Sequence, residues 1–92
     1  MNTVAIEYDT PRMVALKVTE DAIVADLSDG RSVSVPLAWS WRLSEATPEQ
    51  RNRFEFNGSG LGAHWPDIDE DISVAGMLHG TPARHPKLAE AA

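Results

Sequence analysis

The residues best suited to chemistry lie in one stretch, residues 62–73, which reads Gly-Ala-His-Trp-Pro-Asp-Ile-Asp-Glu-Asp-Ile-Ser. A histidine precedes four carboxylates there, and an imidazole beside a carboxylate is a candidate acid–base pair. Carboxylates and an imidazole are also candidate ligands for a divalent cation. The residues that carry these hypotheses are His64, Asp67, Asp69, Glu70 and Asp71.

The spacing of the acids does not match a standard calcium loop, which needs glycine at its sixth position and a bidentate glutamate at its twelfth. Counting from Asp67, these positions hold Ile72 and Leu78. His64 has no serine or cysteine nucleophile at a known spacing, and a histidine that hydrogen-bonds a carboxylate or the backbone is commoner. The sequence therefore assigns no catalytic residue, no metal and no cofactor. A small metal-dependent or hydrolytic enzyme centred on His64 and residues 67–71 is kept as an alternative.

Part of the acidic run, residues 67–71, is expected to have a structural role. The first turn of a helix has unpaired N–H groups and the positive end of the helix dipole, which both favour a nearby carboxylate. A helix is predicted over residues 73–79 with Ser73 as its N-cap, so one or two of the acids would lead into it. The remaining acids then form a solvated or partner-facing surface.

The elements before this stretch are predicted to be strands and short helices. Val14, Leu16 and Val18 alternate with polar positions, which predicts a half-buried strand with these three side chains toward the core. Asp29 and Gly30 favour a type I′ turn between two antiparallel strands. The strands of this first part are predicted at residues 14–19, 22–27 and 32–36.

Two helices are predicted to follow and to cover one face of the sheet. Trp39 and Leu43 lie four positions apart, as on one face of a helix. Thr47 is a predicted N-cap, and Pro48 takes the first helical position, where its missing N–H is harmless. These helices are predicted over residues 37–46 and 48–53.

A second hairpin leads into the acidic stretch, with strands predicted at residues 54–57 and 62–65. Trp65 is expected to anchor the core, and Pro66 holds the residue before it in an extended conformation and ends the strand. The predicted fold class is therefore α+β, a small antiparallel sheet of two hairpins with three short helices.

Length and charge limit the class of protein. The chain has 92 residues, is 42% hydrophobic and contains no cysteine, so we expect one thin-cored globular domain without disulfides, which self-association would help to stabilise. The net charge of −6 argues against direct binding of nucleic acid. No membrane-span-length apolar run and no signal peptide is evident, so we expect a cytoplasmic protein. The predicted divisions are a loosely held arm (1–12), the domain (13–80) and a disordered tail (81–92).

The tryptophans suggest an interaction surface. Trp39 and Trp41 face different sides of the predicted helix, so Trp41 is a candidate for exposure, and an exposed tryptophan often marks an interface. An N-terminal arm folded over Trp41 is an equally open explanation. Arginines such as Arg42 concentrate in the predicted helices, and the acids concentrate in residues 67–71. This separation of charge suits contact with a partner or with a second copy of the chain. Two ordinary solvated faces would also explain it. The candidate partner-binding residues are Trp41, Arg42, His64, Asp67, Asp69, Glu70 and Asp71.

Four motifs occur in a set order: Leu-Ser-Asp-Gly-Arg at 27–31, Val-Pro-Leu-Ala-Trp at 35–39, Ala-Thr-Pro-Glu-Gln-Arg at 46–51, and the acidic stretch. Together they resemble the bacterial family known as domain of unknown function 2442, over residues 14–80. The resemblance implies a compact α+β domain with strands first and a helix last. The chain departs from the family pattern after Trp39, where Ser40 and Trp41 replace an aromatic residue and a proline.

The resemblance also implies a context, although the family has no established reaction. Some relatives carry a helix-turn-helix domain after this one, and others are encoded beside a second small protein, similar to toxin–antitoxin pairs. Our leading hypothesis is a non-catalytic protein-interaction domain, one member of such a two-gene module, with the adjacent gene product or a second copy as partner. An accessory part of a DNA-binding regulator is a further alternative, which the negative charge opposes.

Overall fold

The computed structural model describes residues 10–80, so most of the predicted arm and the whole predicted tail, residues 1–9 and 81–92, lie outside the described residues. Strands precede a closing helix, which confirms the α+β fold class. The strands are β1 (Met13–Val18), β2 (Ala22–Leu27), β3 (Ser32–Pro36), β4 (Glu55–Phe56), β5 (Gly62–Trp65) and β6 (Glu70–Ser73). The helices are a 3-10 turn (Leu37–Trp39), α1 (Trp41–Ser44), α2 (Pro48–Arg51) and α3 (Val74–His79).

The strands form two antiparallel sheets, ordered β1-β2-β3 and β4-β5-β6. Both predicted hairpins are present, and β6 is a strand that the sequence did not predict. Two backbone hydrogen bonds connect the segment before β5 to β1 and to α3. Met13 N–H donates to the Gly60 carbonyl at 2.8 Å, and Val74 N–H donates to the Leu61 carbonyl at 2.9 Å. One hydrophobic core is therefore shared by residues of both sheets and of α3.

The first strand contains a β-bulge that changes which side chains face the core. Met13 pairs with Leu27 while Ala15 pairs with Asp26, so Val14 is an extra residue in β1. Met13 is consequently buried and Val14 is 62% exposed. The prediction that Val14 faces the core is wrong, because a strict period of two does not hold across a bulge.

The loop between β2 and β3 is a three-residue loop, not the predicted type I′ turn. Gly30 N–H donates to the Leu27 carbonyl at 3.0 Å, and Leu27 N–H donates to the Arg31 carbonyl at 2.8 Å. Gly30 has a φ of 94°, whereas Asp29 is not among the residues with positive φ. A type I turn followed by a left-handed glycine gives this pattern. Asp29 supports the loop with its side chain, which accepts from Arg31 N–H at 3.1 Å.

The helix predicted over residues 37–46 is broken at Ser40. Ser40 is extended, with φ −119° and ψ 100°, and its hydroxyl accepts a hydrogen bond from Leu43 N–H at 3.2 Å. The 3-10 turn ends there and α1 begins, so Trp39 and Leu43 do not share one helix. Leu43 is nevertheless fully buried in the core.

The second predicted helix is present but shorter, over Pro48–Arg51. Thr47 is its N-cap, and its hydroxyl accepts from Gln50 N–H at 3.1 Å while the Gln50 side chain accepts from Thr47 N–H at 3.0 Å. The predicted capping box is therefore confirmed. The Trp65 indole N–H donates to the Arg51 carbonyl at 3.0 Å, and Trp65 has no exposed surface. Trp65 is thus the core anchor that the sequence predicted.

The last helix, α3, begins and ends at the expected signals. The Ser73 hydroxyl accepts from Gly76 N–H at 2.9 Å, which confirms Ser73 as the N-cap, and Gly80 closes the helix with a φ of 77°. Val74 and Met77 face the core. Within residues 10–80, none of the helices has the length and apolar character needed to cross a membrane.

Candidate functional site

The acidic run does not form one surface, because the turn after Pro66 and strand β6 separate its members. Asp67 lies in the turn, and its carboxylate pairs with the Arg53 guanidinium at 3.1 Å. This ion pair links an arginine that follows α2 to the acidic stretch. The predicted separation of arginines from acids therefore does not hold for Arg53. Both side chains are partly or largely exposed, 68% for Arg53 and 33% for Asp67, and such pairs contribute little to stability.

Glu70 is the member of the run that turns inward, and it is only 5% exposed. Its Oε2 atom accepts a hydrogen bond from the Ser40 hydroxyl at 2.5 Å, and its Oε1 atom accepts from Asp71 N–H at 2.9 Å. Ser40 is itself 2% exposed. Glu70 is the first residue of β6, so it is not one of the acids that lead into the last helix.

Ser40 is a site residue that the sequence analysis missed. It lies within the helix predicted over residues 37–46, whereas its hydroxyl is buried, donates to Glu70 and accepts from Leu43 N–H as the N-cap of α1. The available signal was the departure from the family pattern at this position. A serine that interrupts an apolar stretch can end one helical turn and cap the next.

His64 and Asp71 are direct cross-strand neighbours on β5 and β6, and His64 Nδ1 lies 2.9 Å from Asp71 Oδ1. The histidine side chain is 31% exposed and the aspartate 64%. Asp69 completes a cluster in which one donor atom from each residue lies within 4.8 Å of the others. Of the predicted site residues, the structure therefore brings together His64, Asp69 and Asp71.

A groove opens between the two sheets, beside the inward-facing carboxylate. Its volume is about 200 Å³. Glu70 and Ser40 contribute buried polar groups to the groove, and Trp39 is a half-buried aromatic wall. The other lining residues are Ile23, Val35, Asp71, Ile72, Ser73, Gly76 and Met77. The groove thus combines apolar walls with a buried carboxylate.

Trp41 and Arg42, the other partner-binding candidates, do not line this groove. Trp41 is half-buried, and the Arg42 guanidinium lies 4.6 Å from the centroid of its ring. A guanidinium in this position is attracted electrostatically to the face of the ring. Trp41 is therefore a half-buried ring with a cation over it, and most of the arm that was the alternative cover lies outside the described residues.

One carboxyl outside the groove has a shifted pKa. Among the described residues, Asp29 has a lowered pKa because the Arg31 side chain donates a hydrogen bond to its carboxylate. Asp29 lies in the β2–β3 loop and does not line the groove. The shift is explained by the contacts with Arg31 within the loop.

The fold and groove define a small α+β domain of two antiparallel sheets, with a concave surface where the sheets meet. This chain belongs to the family described as protein of unknown function (DUF2442), whose profile matches residues 13–83. None of the curated proteins shows a significant match.

Two solved structures are similar to this chain. The crystal structure of a protein of unknown function from Rhodospirillum rubrum is 26% identical, with a TM-score of 0.71, over 83% of this chain and 94% of that one. The solution NMR structure of an uncharacterized protein from Chromobacterium violaceum is 27% identical, with a TM-score of 0.69, over 97% of this chain and 82% of that one. These similarities agree with the fold and carry no named activity.

Proposed function

We propose that this chain is a protein-interaction domain that binds a segment of a partner protein in the groove between its sheets. The observation that carries the proposal is the groove itself, in which an aromatic wall and apolar side chains surround an opening of about 200 Å³. Drug-sized ligands occupy pockets of about 300–1,000 Å³. The smaller volume suits one or two side chains of a protein partner, and an apolar pocket of this kind is where interface energy concentrates.

The resemblance to two-gene modules supplies a partner to test, the product of the adjacent gene. Co-expression of both chains, followed by size-exclusion chromatography with light scattering, is expected to give a stable complex. Ile72 lines the groove and is half-buried, so Ile72→Ser is expected to weaken that complex at least about tenfold, since burial of an isoleucine side chain contributes 1.5–3 kcal/mol.

Leu78 provides the matched control, because it is 45% exposed on α3 and does not line the groove. Leu78→Ser removes a side chain of the same composition, and the complex is expected to keep its affinity. Circular dichroism establishes that both variants are folded. A chain that stays strictly monomeric beside the adjacent gene product, or an Ile72→Ser variant with full affinity, contradicts the proposal.

A second candidate function, metal-dependent chemistry, is favoured by the cluster of His64, Asp69 and Asp71, whose donor atoms lie within 4.8 Å of one another. An imidazole and two carboxylates suit Mn²⁺ or Zn²⁺. Calorimetric titration with Mg²⁺, Ca²⁺, Mn²⁺ and Zn²⁺ tests it, with His64→Gln expected to abolish the heat. His79→Gln is the control, because His79 is exposed and outside the cluster. Absence of heat with all four ions excludes this candidate.

A further inference from the structure

We propose that the groove recognises a cationic side chain of the partner, with Glu70 as the residue that binds it, an inference that rests on the proposed function. It names the chemistry of the partner segment: a lysine or, better, an arginine, carried among apolar residues. The charged end of that side chain then binds Glu70, and its apolar stem packs against the walls of the groove.

The burial of Glu70 is the first step of the argument. A carboxylate that is 5% exposed is costly unless a cation or several hydrogen bonds compensate its charge. The ion pairs within residues 10–80 are Arg31 with Asp29, Arg53 with Asp67, and His64 with Asp71, and none includes Glu70. The carboxylate therefore enters the groove without a counter-charge from the described part of the chain.

The acceptor capacity of Glu70 is the second step. A carboxylate offers about four acceptor sites, and two are filled by the Ser40 hydroxyl and Asp71 N–H. Those two bonds hold the carboxylate in a fixed orientation, with one bond on each oxygen. A planar guanidinium can donate to both oxygens of a carboxylate at once, which makes arginine the better match.

The two arginines of the helical segments after Ser40, Arg42 and Arg51, already have partners. Arg51 donates to the carbonyls of Leu43 and Ser44, at 2.9 and 3.1 Å, and Arg42 stacks on Trp41. Arg51 and Arg42 are therefore held in other contacts. A cation that approaches Glu70 is therefore expected to come from outside the described part of the chain, and we assign it to the partner.

The walls of the groove suit the rest of such a side chain. Lysine and arginine bury their methylene stems against apolar surface while the charged end reaches a polar group. Trp39 lines the groove, and an aromatic side chain at this position can add a contact with the cation to the ion pair. The chain as a whole has a net charge of −6, which attracts a basic segment.

The test uses the full chain, labelled with ¹³C and ¹⁵N, and three small probes in NMR titrations. The probes are N-acetyl-arginine methylamide, its citrulline counterpart, which has the same shape without the charge, and N-acetyl-norleucine methylamide. The arginine probe is expected to shift the signals of the Glu70 carboxylate carbon and of the Trp39 indole. Its affinity should exceed that of the citrulline probe by about tenfold, the effect of one charge-assisted hydrogen bond.

Two variants of equal charge separate recognition from general attraction. Glu70→Gln is expected to remove the preference for arginine, whereas Asp67→Asn, which removes one charge outside the groove, keeps it. The comparison of the three probes on the unaltered chain needs no variant, so a Glu70→Gln chain that fails to fold does not prevent a decision. Equal binding of all three probes in the groove overturns the recognition of charge while leaving the interaction domain in place. Absence of groove shifts with the arginine probe also overturns it, and the Ile72→Ser experiment judges the interaction function separately.

Discussion

The Ser40 hydroxyl and the Glu70 carboxylate form a buried hydrogen bond of 2.5 Å between residues thirty positions apart. Ser40 follows the first sheet and its 3-10 turn, and Glu70 begins the last strand of the second sheet. The bond therefore joins the two halves of the domain through polar groups. It also fixes the carboxylate that faces the groove.

Ser40→Ala is expected to lower the free energy of unfolding by about 2–3 kcal/mol. The substitution removes the hydrogen-bond donor of a buried carboxylate and the N-cap of α1 in one step. Chemical denaturation followed by circular dichroism measures the change. Ser44→Ala, at an exposed position of the same helix, is the control and should change the free energy by less than about 0.5 kcal/mol. Equal effects of the two substitutions would show that the buried bond contributes nothing.

The bulge in β1 gives a prediction for two adjacent residues. Met13→Ala is expected to cost about 2–4 kcal/mol, because a buried methionine leaves a cavity when it is truncated. Val14→Ala is expected to cost less than about 0.5 kcal/mol, because Val14 is 62% exposed. Thermal and denaturant unfolding of both variants checks the pair. The reverse order of the two costs would restore the regular strand with Val14 in the core.

The capping box of α2 predicts that stability is lost when the Thr47 hydroxyl is removed and is kept when another hydroxyl replaces it. Thr47→Ala removes the acceptor of Gln50 N–H and is expected to cost about 1 kcal/mol. Thr47→Ser keeps the hydroxyl and should retain most of the stability. Denaturant unfolding of the three chains measures both differences. A serine variant as unstable as the alanine variant would assign the loss to the methyl group instead of the cap.

The Asp29 carboxyl is expected to titrate below its ordinary pKa of 3.8, because the Arg31 side chain and N–H both donate to its charged form. A pKa lowered by folding stabilises the folded state above the unfolded value. That contribution is lost as the pH falls from 3.8 through the lowered pKa. Carbon-detected NMR titration should show the low midpoint, and Arg31→Gln should raise it toward 3.8. Arg42→Gln, a distant change of the same charge, should leave it unaltered; an unshifted midpoint in the unaltered chain contradicts the explanation.

The helix starts and the strand end that depend on one local interaction could be predicted from the sequence. Thr47 with Pro48, and Ser73 before a short apolar run, specify helix starts through hydrogen bonds that span three residues. Trp65 before Pro66 specifies the end of a buried strand in the same local way. These features were predictable because distant parts of the chain do not alter them.

The unpredicted features depend on contacts between distant residues. The bulge at Val14 is defined by the register of β2, and the break at Ser40 is favoured by the bond to Glu70. Strand β6 begins with two acidic residues and has only four, so its pattern alone does not indicate a strand. Its pairing with β5 supplies the information that the pattern lacks. Consequently the sequence placed His64 and the acids in one candidate region, but it did not distinguish the inward-facing Glu70 from its exposed neighbours.

The extra residue at Val14 is also expected to make β1 less suited to pairing with a strand of another molecule. Within residues 10–80, β1 is an outer strand of its sheet, and a regular outer strand offers its free backbone groups to another molecule. A bulge increases the local twist and interrupts the even spacing of those groups. The same insertion that places Met13 in the core therefore makes this border of the sheet a poor template for intermolecular β-pairing.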